Sequence, residues 1–197
     1  MKNINEINKI TMVVAKFIEI IHWMGVFFSS ILLIFSIVAK DDVTSIIENR
    51  SSIYNIELNI YGFDVTAVTP TGETNMISVT LSCVCAIIIL ALMAMVFRNI
   101  YLIIKTLIGE NKFTKTTTPF QQNIIRMLKE IGMFSISVPV VGLFFGVIIC
   151  ALSIINGIDG TEISVDIQGF IIGLISFSLT NIFTYGAELE KDVDGLL

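Results

Sequence analysis

The residues best placed for chemistry in this sequence are Glu19 and His22, which interrupt an apolar run from Phe17 to Ala39, between Lys16 and Lys40. Three residues apart, they share one helical face. An ionisable side chain inside a membrane-crossing segment is a candidate for handling a proton or a cation. Arg98, which closes a second apolar run, is expected at the same depth, and Asn181 on a fourth run could bond across to Glu19 or His22 and lock the first and fourth helices together. The structural interpretation is interfacial. Glu19 lies in the first turn of its run, where it can pair with Lys16, and His22 with Trp23 suits the polar-aromatic belt of a bilayer surface. An ExxH pair also occurs in di-iron bundles, but those need further glutamates and a second histidine, and the chain has 1 His.

Other chemistries lack their residues. Cys83, Cys85 and Cys150 all lie in apolar runs, so no disulfide framework is expected. A CxC pair with no His or acid near it in sequence reads as small buried side chains rather than a metal site. There is no phosphate-binding glycine loop, no HExxH and no nucleophile elbow. No enzymatic activity and no cofactor or metal are therefore expected. A net charge of −5 disfavours nucleic acid as a direct partner, because phosphate contacts need clustered Lys and Arg.

The elements that carry these residues follow from composition. Hydrophobic residues make up 54% of the chain and charged residues 15%, against about 25% charged in soluble domains. Crossing a bilayer takes about 20 mostly apolar residues. Four segments qualify, at about 17–39, 74–97, 131–158 and 167–187. The expectation is a single all-α integral membrane domain over 1–197, a four-transmembrane-helix bundle with an outer loop at 40–73 and a basic inner loop at 98–130. The first run is long and lacks a small-x-small cleavage site, so it reads as a retained helix rather than a signal peptide. The 98–130 segment carries Arg98, Lys105, Lys112, Lys115, Arg126 and Lys129 against two acids, and the N-terminal tail carries Lys2, Lys9 and Lys16. Segment 40–73 has two basic residues and six acids. Basic loops stay inside, which puts both chain ends in the cytoplasm.

Helices in lipid approach one another through small residues. The third run has Ser135, Pro139, Gly142, Gly146, Cys150, Ser153 and Gly157, and the fourth has Gly169, Gly173, Ser176, Thr180, Thr184 and Ala187. Steps of four and three keep each set on one face. With a short connection between them, the two runs form an antiparallel hairpin. Gly25, Ser29 and Ser36, and Ser78, Ser82 and Cys85, are shorter versions on the first two runs.

In the outer loop, alternation over 56–60 and 63–66 around Tyr61-Gly62 reads as an extracytoplasmic β-hairpin. In the inner loop, the second helix continues past Arg98 to about Gly109. Thr118-Pro119-Phe120-Gln121 then reads as a capping-box start, opening an amphipathic basic helix with Arg126 and Lys129 that runs into the third span. Such a helix suits either the headgroup surface or a cytoplasmic protein.

Two stretches resemble a bacterial membrane-protein family catalogued as domain of unknown function 2975. One is Pro119-Phe120 with Asn123, Arg126, Leu128, Lys129, Ile131 and Gly132. The other is Phe183, Tyr185, Gly186, Ala187, Glu188, Leu189, Asp192 and Asp194. The order of spans and loops is similar too. The resemblance implies a bacterial cytoplasmic membrane, no assigned activity, and frequent gene neighbourhood with a small helix-turn-helix regulator. The expected function is thus non-enzymatic and regulatory, with a cytoplasmic partner held by Lys112, Lys115, Phe120, Arg126 and Lys129. The acidic tail, through Glu188 and Asp192, would compete for the same charges. The alternatives are a small carrier coupled through Glu19, or an envelope-protection or immunity protein acting through the outer hairpin at 54–69. A homo-oligomer is compatible with each.

Overall fold

The computed structural model describes residues 2–51, 57–60, 63–66, 75–108, 120–155, 162–163 and 167–194, with side chains for 6–47, 75–108, 120–155 and 167–193. Helix α1 covers Lys2–Val38 and α2 Lys40–Ser51, strands β1 and β2 cover Glu57–Ile60 and Phe63–Thr66, and α3 covers Met76–Leu107. Helix α4 covers Gln122–Ile155, β3 Glu162–Ile163 and α5 Ile167–Asp194. Four of the helices, α1, α3, α4 and α5, are long and apolar enough to cross a membrane. The chain is accordingly a multi-pass, helical membrane protein.

By their contacts the residues fall into two compact units. Unit 1 is Met1–His22, Leu92–Ile136 and Gln168–Leu197, and unit 2 is Trp23–Ala91 and Ser137–Ile167. Helices α1, α3 and α4 each contribute to both.

Within the helices, burial follows the four-three spacing. On α3 the buried residues include Ser78, Ser82, Cys85 and Ile89 in unit 2 and Val96, Asn99 and Thr106 in unit 1, at such steps, with Met76, Val79 and Ala94 buried beside them. On α4 it includes Ser135 in unit 1 and Val138, Pro139, Ile149 and Ser153 in unit 2. The stripe thus passes through Ile149, fully buried, and not through Cys150, which is half-buried. On α5 it is Gly173, Ser176 and Thr180. The two hydroxyls on the α5 face bond to their own helix: Ser176 Oγ donates to the Ile172 carbonyl at 2.9 Å and Thr180 Oγ1 to the Ser176 carbonyl at 2.8 Å. That satisfies those two without a partner helix, whereas Ser82 Oγ on α3 is buried with no hydrogen-bond partner among the described residues.

In unit 1 the helices meet in chain order. Lys16 and His22 of α1 lie on Tyr101 and Phe97 of α3. Asn99 of α3 donates to Glu130 of α4 at 3.1 Å. Gly132 and Ile136 of α4 lie on Phe177 and Gly173 of α5. Rising α5 numbers meet falling α4 numbers, so this pair is antiparallel. Its closest approach is at Gly132 and Gly173. A Cβ at Gly132 would come 3.3 Å from the Gly173 carbonyl oxygen and 3.2 Å from the Phe177 ring. In unit 2, Gly25 of α1 admits Leu90 of α3 (3.1 Å from a Cβ position to Cδ1).

Several elements differ from the sequence expectations. Helix α1 starts at Lys2 and not near Phe17. Its buried residues Ala15 and Glu19, with Asn8, Met12 and His22 half-buried, continue the span's own stripe backwards, so the tail is helical for the reason the span is. Segment 40–73 was expected as loop with a hairpin but opens with α2. A bend at Ala39 ends α1, and Asp41 and Asp42 stand in the first turn of α2, where acids complement the helix dipole. Strand β1 pairs antiparallel with β2, Glu57 opposite Thr66 and Ile60 opposite Phe63. Strand β3, not foreseen, adds to β2 with Phe63 opposite Ile163. The turn at Tyr61-Gly62 lies outside the described residues. Helix α3 is capped by Asn75, whose Oδ1 accepts from the Ser78 amide at 3.2 Å.

Helix α4 begins at Gln122, three residues after Pro119, its proposed first helical position. The amides of Ile124 and Ile125 both donate to the Gln121 carbonyl, at 2.9 and 3.1 Å. Thr118 and Pro119 lie outside the described residues, and Phe120 is in a turn before the helix. Phe120 is freed from helical packing because it is engaged elsewhere, as follows.

Candidate functional site

Unit 1 gathers nearly every described side chain that the sequence singled out. Glu19 is 6% exposed. Its Oε2 accepts from Lys16 Nζ at 2.9 Å, and the Lys16 side chain is 46% exposed. The same ammonium lies over the Tyr101 ring, 5.2 Å from its centroid. Lys105 approaches that ring from one turn further along α3, at 5.6 Å, with its Nζ 3.4 Å from the Tyr101 hydroxyl. His22 hydrogen-bonds through Nδ1 to the Ile18 carbonyl at 2.8 Å, which requires Nδ1 to carry the proton. Its ring rests on Phe97 with centroids 5.4 Å apart. Glu19 and His22 therefore share a face but have separate partners. Asn181 is exposed on α5 and makes neither of the two cross-helix bonds open to it among the described residues. Position 181 follows Thr180 on the stripe and so points off the packed face. Arg98 is exposed on α3, one turn before Tyr101.

A second group is built around α4. Arg126 Nε lies 3.4 Å from Glu130 Oε1, and the Arg126 side chain is 72% exposed. Glu130 also receives Asn99, which fixes it between α3 and α4. Lys129 is exposed without an ion-pair partner among the described residues. Glu188 and Asp192 are exposed on α5, which stays helical to Asp194. Neither pairs with Arg126 or Lys129 among the described residues, so the competing tail contact is not formed. Glu130, one turn away on the same helix, reaches Arg126 at far lower conformational cost than a carboxylate on another helix. Lys112 and Lys115 lie outside the described residues.

Phe120 is the residue whose role the sequence left least defined. Its ring packs edge-to-face on Phe183, with centroids 5.7 Å apart and planes at 63°, and it fills the space beside Gly186, where a Cβ would overlap the ring. The chain entering α4 is thereby fastened to α5. Spacing alone could not find this contact, since 63 residues of sequence separate Phe120 from Phe183. Gly186→Ala should displace the ring and lower the thermal midpoint by the equivalent of about 1 kcal/mol. In the Phe120→Ala background the same change should cost nothing, because the obstacle is gone. A double-mutant cycle on detergent-purified protein reads the coupling.

The three cysteines are free, and no group of three or more metal-binding side chains occurs among the described residues. In comparisons with known proteins, no family model, no curated protein and no solved structure matches the chain.

Proposed function

We propose that this is a non-enzymatic regulatory protein of the bacterial cytoplasmic membrane, with both chain ends in the cytoplasm and the strands β1 to β3 on the outer side. It would hold an acidic face of a soluble partner against the start of α4. The observation that carries this is the pair of exposed cations Arg126 and Lys129 on helix turns whose position is fixed from two sides, by Phe120 on Gly186 and by Glu130 on Asn99. Cations on a fixed scaffold lose less entropy on binding than cations on a free loop. The basic content of segment 98–130 supports the orientation. The resemblance to domain of unknown function 2975 supports the bacterial setting and makes a small helix-turn-helix regulator the first partner to test.

Glu19 supports a structural role better than a carrier's, because a coupling carboxylate must be open to water and this one is buried against Lys16. The test is capture from detergent extracts by wild-type protein and by the Arg126→Gln/Lys129→Gln variant. An acidic soluble protein should be retained by the first, released by added salt, and lost from the second. Equal recovery by both overturns the assignment, as does a reporter fused after Leu197 that proves periplasmic.

A further inference from the structure

Lys16, Tyr101 and Lys105 form a group that the partner reading does not use. Two ammonium groups, one from α1 and one from α3, converge on a single ring at 5.2 and 5.6 Å. Among the described residues the one carboxylate paired with either is Glu19, bound to Lys16 at 2.9 Å. Lys105 has no carboxylate among the described residues; its recorded contacts are the ring and hydroxyl of Tyr101. Arg98 adds a further exposed cation one turn away on the same helix. Like charges gathered on one ring repel, and an anion among them would relieve that.

The position of the group says which anion fits. Lys16 immediately precedes the apolar run of α1 and Arg98 immediately follows that of α3, so the cluster sits at the edge of the hydrocarbon. Beside Lys16, Phe17 is 63% and Ile20 48% exposed, an apolar strip left uncovered by the described residues. A phosphate with acyl chains attached would satisfy both halves: its oxygens take the ammoniums and the tyrosine hydroxyl, and its chains cover Phe17 and Ile20. A free phosphate would satisfy only the first. We propose that Lys16, Tyr101 and Lys105 seat the phosphate of an anionic lipid headgroup between α1 and α3. The site depends on the chain spanning a membrane and not on any soluble partner.

The full-length protein in neutral detergent, titrated with phosphatidylglycerol or phosphatidylcholine, tests this by native mass spectrometry. Phosphatidylglycerol should be retained in preference to phosphatidylcholine, and equimolar inorganic phosphate should not displace it. Lys105→Gln should weaken retention roughly fivefold, the loss expected for one lysine near an anionic headgroup. Lys105→Arg should keep it, and Lys9→Gln, removing an exposed lysine of α1 outside the cluster, should leave it unchanged. Lys105 is the variant of choice because Lys16 also holds Glu19. Equal retention of the two lipids overturns the site. So does an equal loss in Lys9→Gln, which would mean diffuse attraction. Displacement by inorganic phosphate overturns the lipid as its occupant.

Discussion

Gly173→Ala is expected to lower the thermal midpoint of the purified protein by the equivalent of about 1–3 kcal/mol, the usual cost of forcing a methyl group into a packed interior. Gly173→Leu is expected to yield no folded protein. A Cβ at Gly173 would overlap the Ile136 side chain and lie 3.1 Å from the Gly132 carbonyl oxygen. Ile136 can turn aside, but the carbonyl belongs to the backbone of α4, so the helix axes themselves must separate. Gly132→Ala should cost less, its contacts of 3.2 and 3.3 Å being tight rather than overlapping. Gly25→Ala should cost least, because it meets only the end of Leu90 at 3.1 Å. Adding Ile136→Ala to Gly173→Ala should recover part of the loss, since one of the two obstacles is removed. If Gly173→Ala melts at or above the wild-type midpoint, the close α4–α5 approach is wrong. The order of the three alanine variants gives a second, independent check.

The glycine at the centre of that contact shows what the sequence revealed and what it did not. Gly173 lies on the stripe of small residues on α5, and small residues at four-three steps have one physical use in lipid, which is to let backbones approach. Its partner Gly132 lies one step before the stripe on α4, among the apolar residues Ile131 and Met133 that disguise it. Likewise the α4 stripe passes through Ile149 rather than Cys150. Residue size suggested the cysteine, but burial also admits a large side chain where the facing surface is hollow. Helix α2 was missed because KDDVTSIIENRS has no apolar stripe to mark it. The contacts of unit 1 were missed for a different reason. Asn99 with Glu130, Lys16 with Tyr101 and Phe120 with Gly186 join helices, and periodicity within one helix carries no record of what stands opposite.

The polar group at Glu19 gives the second large effect. Lys16→Gln should destabilise the protein more than Glu19→Gln does, although both remove the same ion pair. The two partners differ in environment: the Lys16 side chain is 46% exposed and that of Glu19 only 8%. With Glu19 neutralised, Lys16 can swing its head outward along its own alkyl stem to water or headgroups. With Lys16 removed, Glu19 is on α1 against the packed face and cannot reach solvent without turning the helix. Its charge is then buried without compensation. Stripping one partner from a fully buried pair costs about 3–5 kcal/mol, and the partial exposure of Lys16 lowers the expectation here to about 1–3 kcal/mol. Lys16→Gln/Glu19→Gln together should melt near the Glu19→Gln midpoint, because the stranded charge is gone. Thermal midpoints of the three variants in one detergent settle the order. A Glu19→Gln loss as large as that of Lys16→Gln would show that the carboxylate is needed for something other than pairing with Lys16, and would return a coupling role for Glu19 to first place.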